Sequence, residues 1–250
     1  MFRFTDTVKH IIIINVIMLI GSLTIAGGHL FTHYLAIYFP ENDLFQPWQI
    51  ITHIFMHGSL EHLFGNMLLL FVFGTGLEYV LGRQKFIFLY ISAGLGATVL
   101  PILIDYIQYI PLEQSLINEG FTKLQIKTML AKNELLPTVT EAQKMTLQEM
   151  FRIFNRPSLG ASGAVMGIVT AYGYLFPNRK FMLLFFPVPV KVKYLVVGMV
   201  GADLVSALFV GTPLLAGSNI GYVAHVGGAF TGLIMAWYWK KNQFNKNRWD

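Results

Sequence analysis

Six apolar runs constrain this chain more than any other feature. They fall at roughly 10–27, 60–81, 86–104, 161–176, 194–210 and 220–239. A helix needs about 20 predominantly apolar residues to cross the hydrocarbon core of a bilayer. Only helices and closed barrels satisfy their backbone groups in lipid, and these runs are too long and continuous for barrel strands. Composition agrees: 54% of the 250 residues are hydrophobic and 12% are charged, whereas a soluble domain carries about 25% charged residues. The expected fold is an all-α polytopic membrane protein, a six-transmembrane-helix bundle forming a single membrane domain over 1–250. The net charge of +5 gathers on no one face, so the partner it implies is the lipid bilayer and not nucleic acid. The absence of cysteine removes disulfides, thiolate metal sites and cysteine nucleophiles. The first run reads as a retained helix, since no small-residue cleavage site stands out and further spans follow.

Lysine and arginine set the orientation. With a cytoplasmic N-terminus, the inside segments hold Arg3, Lys9, Arg83, Lys85, Arg179, Lys180, Lys191, Lys193, Lys240, Lys241, Lys246 and Arg248, which is 12 of 18 basic residues. The other six lie in one long loop at 105–157, and long loops are the ones that tolerate charge on the far side. Both termini are therefore expected to be cytoplasmic, with 105–157 an inserted extracytoplasmic loop. Residues 28–59, broken by Pro40 and Pro47 and rich in aromatics, are expected to lie in the membrane interface. Within 105–157, Thr138-Val139-Thr140-Glu141 reads as a capping box. Leu147, Met150, Phe151 and Phe154 follow at helical spacing, which reads as an amphipathic helix on the outer leaflet.

Polar groups inside a bilayer are expensive, so each one within a span is a functional candidate. Ser162, in Gly160-Ala161-Ser162-Gly163, falls in the first turn of the fourth helix, where backbone N–H groups have no intrahelical partner. The flanking glycines allow close backbone approach; the plain alternative is that small residues merely pack helices. His225, in Ala224-His225-Val226-Gly227-Gly228, can take a serine proton and return it to a leaving amine. Gly163-x3-Gly167 and Gly228-x3-Gly232 are patterns that let two helices touch, which would bring Ser162 to His225. His62 and Asn66 share one helical face and are neutral donors suited to an oxyanion. A metal held by His53, His57 and His62 is the competing reading, but no carboxylate or cysteine joins them at ligand spacing, so neither metal nor cofactor is expected. Under the derived topology the second, fourth and sixth spans all enter from outside, and all four residues fall within about the first two turns of their helices. A nucleophile, a base and two donors in one layer make a site for acyl transfer. Asp203 and Glu78 are read as structural.

These residues resemble a known family. The block His57, His62, Asn66, the Gly-Ala-Ser-Gly at 160–163 and the Ala-His-Val-Gly-Gly at 224–228 are similar to the motifs of rhomboid intramembrane serine proteases, in the family's order and on the expected helices. The resemblance implies that Ser162 is the nucleophile and His225 the general base, a dyad without an acidic third member. It implies an oxyanion hole of His62, Asn66 and the Ser162 N–H, with His57, Gly160 and Gly163 in support. Transmembrane protein substrates would be cleaved in or near their spans, with the fifth helix and first loop gating entry. Two positions depart from the pattern: Gln49 follows Trp48 where many members have arginine, and Met166 stands where the family often stacks an aromatic on the catalytic histidine. The 105–157 insertion is expected to shield the site's mouth. The rival readings are a catalytically inactive rhomboid-like protein that binds membrane clients, and a transporter, which would want inverted repeats or broken helices. The Ile, Lys and Asn content and the short N-terminus point to a bacterial plasma membrane.

Overall fold

The computed structural model describes residues 4–25, 29–183, 186–208 and 220–246. The expected span ends at 26–27 and 209–210, and the flanking Arg3 and Arg248, lie outside the described residues. The elements follow the apolar runs: α1 (Asp6–Thr24), α4 (Leu60–Leu69) continued by a π-helical turn (Leu70–Gly74) into α5 (Thr75–Leu81), α6 (Arg83–Asn118), α9 (Ser162–Leu175), α10 (Val192–Leu208) and α11 (Ile220–Lys246). Among the described residues, Asp6–Thr24, Leu60–Leu81 and Arg83–Asn118 are long and apolar enough to cross a membrane, and Ser162–Leu175 is a shorter apolar helix. Large apolar side chains stand outward along these helices, Ile17 at 60%, Phe88 at 63% and Val197 at 71% exposure. Water would penalise that surface, whereas lipid solvates it.

Two compact units divide the chain: Met1–Ile20, Ile54–Pro101 and Gly160–Asp250 form one, Gly21–His53 and Ile102–Leu159 the other. In the first, α9 is buried from Gly163 to Gly173, packed between neighbours on every side. Its centre joins a cluster that includes Val8, Leu70, Phe73, Leu77, Phe86 and Tyr172, with Phe73 edge-on to the Tyr172 ring at 5.3 Å. Glu78 stitches α5 to α1: its carboxylate accepts the N–H groups of Thr7 (3.2 Å) and Val8 (3.1 Å), which are first-turn donors of α1 that need a partner. These two bonds fit the structural reading of Glu78. An antiparallel hairpin of β1 (Lys180–Leu183) and β2 (Phe186–Lys191), in register Lys180↔Lys191, precedes α10.

In the second unit the third apolar run does not stop at 104: α6 continues through Pro101 and Pro111 to Asn118. Short helices α2 (His29–Leu35) and α3 (Gln49–Thr52) order the segment after α1, and α7 (Lys123–Lys132) and α8 (Glu141–Phe154) follow α6. The α8 capping box differs from the one expected: Thr140 is the cap and Gln143 its reciprocal partner. Its apolar face does not rest on a leaflet. Leu147, Met150, Ile153 and Phe154 bury against Tyr109, Leu116, Phe121, Ile126 and Met129, a core of this unit's own. Asp105 receives both N–H···O bonds from one Arg156 guanidinium nitrogen (2.9 and 3.0 Å).

Gln49 replaces whatever the expected arginine would have held. Fully buried, its amide donates to the carbonyls of Leu44 (2.9 Å) and His33 (3.3 Å) and its oxygen accepts from Gln46 N–H (3.1 Å). Trp48 Nε1 donates to the Tyr34 carbonyl at 2.8 Å. The departure from the family pattern therefore leaves the segment anchored.

Candidate active site

Glycine contacts place the candidate residues. Gly163 and Gly228 face each other so closely that a Cβ on Gly228 would overlap the Gly163 carbonyl, and the same holds one turn on for Gly232 and Gly167. A Cβ on Gly163 would meet the Ala224 carbonyl at 3.2 Å, and one on Gly167 the Gly228 carbonyl at 2.9 Å. The α9 and α11 backbones thus touch at the two small-residue patterns read from the sequence. A third contact, Gly96 against Gly227, ties α6 to α11. Ser162 adjoins Gly163 and His225 adjoins Ala224, so both sit at the level where the helices meet.

Around Ser162 the chain is shaped for access. Gly160 has φ +141, a backbone conformation that side-chain-bearing residues avoid. Its hydrogen face lies between two candidates: a Cβ there would stand 3.1 Å from His62 Cε1 and 3.6 Å from Ser162 Oγ. The first intrahelical bond of α9 runs from Val165 N–H to the Ala161 carbonyl at 2.9 Å. The N–H groups of Ser162, Gly163 and Ala164 therefore precede the ladder and have no helical acceptor.

On α4, Ser59 caps the helix by accepting the His62 N–H at 3.2 Å, which starts the turn that carries His62 and Asn66. Asn66 is buried, and its Nδ2 donates to His57 Nε2 at 3.0 Å. The His57 and His62 rings meet edge-on at 5.0 Å. His57 is buried ahead of the span, and its pKa is pushed down to about 4 by that burial and by the neighbouring charge of His62. It is neutral at pH 7 and accepts from Asn66. Three of the sequence-derived residues, His57, His62 and Asn66, thus form one linked group, and His62 and Ser162 Oγ both lie next to Gly160. Among the described residues no hydrogen bond joins Ser162 Oγ to His225. Among those residues too, no group of three His, Cys, Asp or Glu side chains is arranged to hold a metal.

Two contacts of His225 were not foreseen. The Tyr222 ring stands edge-on to it at 6.3 Å, an aromatic from the same helix where Met166 had been the expected neighbour. Its Nδ1 lies 3.1 Å from Asp203 Oδ2. Asp203, read as structural, has a partner that the sequence did not name: α10 carries it to the imidazole. The signal was present as an acid inside an apolar run, but its partner was set by how two helices face each other.

The chain matches the Rhomboid domain over residues 44–242. It is 30% identical to the mitochondrial Rhomboid protein 1 of Saccharomyces cerevisiae over 77% of this chain and 42% of that protein. It is 28% identical to the mitochondrial RHOMBOID-like protein 12 of Arabidopsis thaliana over 75% of this chain and 45% of that one. A shorter match, 27% over 36% of this chain and 45% of the relative, is to YdcA of Bacillus subtilis, named provisionally as a rhomboid protease. The chain spans less than half the length of these relatives. The expectation of a bacterial plasma membrane is corrected by them, because the relatives aligned over about three quarters of the chain are mitochondrial. Ile, Lys and Asn content reports on overall composition and carries no physical information about compartment. On the matched domain and these relatives, the chain is an integral membrane protein that belongs to the rhomboid family.

Proposed function

We propose that this rhomboid, from a family that includes serine intramembrane proteases, is an active one, cleaving peptide bonds in or near transmembrane segments of membrane-protein substrates. The reading takes the six apolar helices as crossings with both termini on one face, and the mitochondrial relatives argue for a mitochondrial membrane. The observation that carries it is the backbone contact of α9 with α11 at Gly163, Ala224 and Gly228. That contact supports the reading by setting the turn that carries Ser162 close to the one that carries His225, and His62 and Ser162 Oγ both lie next to Gly160.

In this reading Ser162 Oγ attacks the scissile carbonyl carbon as its proton passes to His225 Nε2. The oxyanion that forms is met by the Ser162 N–H, the Asn66 amide and His62, donors fixed before the reaction begins. The C–N bond then breaks, the proton on His225 goes to the departing amine, and water activated by the same imidazole releases the acyl group. An inactive, client-binding relative has no need of a serine at a bare helix N-terminus. Ser162→Ala and His225→Ala should each abolish cleavage of a transmembrane reporter in liposomes. Ser162→Ala should also abolish labelling by a fluorophosphonate. Labelling that survives Ser162→Ala would reject this nucleophile.

A further inference from the structure

We infer that Asp203 is a positioning residue for His225, so that the site works as a serine–histidine–aspartate array in place of a bare dyad; this rests on the protease reading above. Four observations support it. His225 Nδ1 and Asp203 Oδ2 are 3.1 Å apart, with side chains 24% and 14% exposed. Asp203 is the one acidic residue of α10, whose only other charged residue is Lys193 near its start, and an acid in such a helix is costly unless it has a partner. Among the described residues the carboxylate has no other hydrogen bond or ion pair. The remaining groups facing the imidazole are the Tyr222 ring on its own helix and His62 from α4, within electrostatic reach; among the described residues neither is hydrogen-bonded to Nδ1.

The chemistry follows from the direction of that bond. A carboxylate can only accept, so the Nδ1 that meets it carries the proton, and Nε2 keeps its lone pair. Nε2 is the atom that must accept from the serine. When it does, the imidazolium forms beside a negative charge already in place. Asp203 touches neither substrate nor the reacting atoms. It holds the ring in one tautomer and one orientation.

Proton-coupled ¹⁵N spectra of the detergent-solubilised protein with ¹⁵N-histidine, His225 being assigned by the signal lost in His225→Gln, read the tautomer directly. Near neutral pH, wild type should show His225 protonated at Nδ1 and bare at Nε2. Asp203→Asn offers an amide that can also donate, so an Nε2-protonated form should appear. In that variant kcat for a transmembrane reporter should fall on the order of 100-fold, with KM within about threefold. A wild-type spectrum with Nδ1 bare overturns the inference without any variant, as does an Asp203→Asn protein that cleaves at the wild-type kcat. If wild type neither cleaves nor labels at Ser162, the protease reading falls alone, and the spectra still decide whether Asp203 sets the tautomer.

Discussion

Asn66 is held by a bond that leaves it half free. Its amide has two N–H groups; one is taken by His57 Nε2, and in the proposed protease the other is the one that would meet the oxyanion. Asn66→Ala should therefore lower kcat by on the order of 100-fold or more, the cost of one such donor being about 2.7–4 kcal/mol of barrier. His57→Ala should cost less if, as proposed, His57 acts by aiming Asn66; equal losses in reporter cleavage would place His57 on the substrate itself. The depressed His57 pKa has a stability consequence of definite sign. The unfolded chain takes up this proton near pH 6.5 while the folded one refuses it until about 4, so stability falls as pH drops through that window and no further below it. His57→Gln should flatten the corresponding fall in Tm between pH 6.5 and 4; an unchanged slope would assign it to other groups, His53 with the same depressed value among them. At this scale the sequence was readable wherever a polar side chain interrupts an apolar run, which is how Ser162, His225, His62 and Asn66 stood out. Asp203 stood out equally, but no spacing along one helix tells which face of another it meets.

Helices make the site by touching, and glycine lets them touch. Gly228→Ala would drive a methyl group into the Gly163 carbonyl, where the obstacle is backbone and has no rotamer to change. Overpacking of this kind costs about 1–3 kcal/mol and would widen the gap between α9 and α11. Fluorophosphonate labelling at Ser162 should fall at least tenfold, on the order of the barrier such strain would add, while the protein stays inserted. Gly198→Ala on α10 meets nothing within 4 Å and should label as wild type. If the two variants behave alike, the helix contact does not govern the serine. The spacing Gly163-x3-Gly167 against Gly228-x3-Gly232 carried this much forward from sequence. It did not carry the end of α6. Beyond Ile104 the residues Asp105, Gln108, Glu113 and Gln114 break the apolar run without breaking the helix, and apolarity reports burial in lipid, not backbone conformation. Pro101 and Pro111 each remove one ladder bond, yet α6 runs through both.

Among the described residues there are two hydrophobic clusters, and the second changes what the 105–157 segment means. Read as an inserted loop that shields the site, it invites deletion of 112–150. That deletion would remove Leu116, Ile126, Met129, Leu130, Leu147 and Met150, leaving Phe39, Tyr109, Ile153 and Phe154 with their core gone. Altered cleavage after such a cut would report exposed apolar surface as much as lost shielding. A single core truncation is the sharper probe. Met150 is fully buried, and Met150→Ala should cost about 2–5 kcal/mol through lost contacts and the cavity left behind. Because its neighbours belong to its own unit, hydrogen exchange should accelerate in α7 and α8 and stay at wild-type rates in α9 and α11, whose protection comes from the glycine contacts and the Phe73–Tyr172 cluster. Exchange that rises equally in α9 would mean that the two clusters open together, and the segment would then act on Ser162 by holding its helix folded.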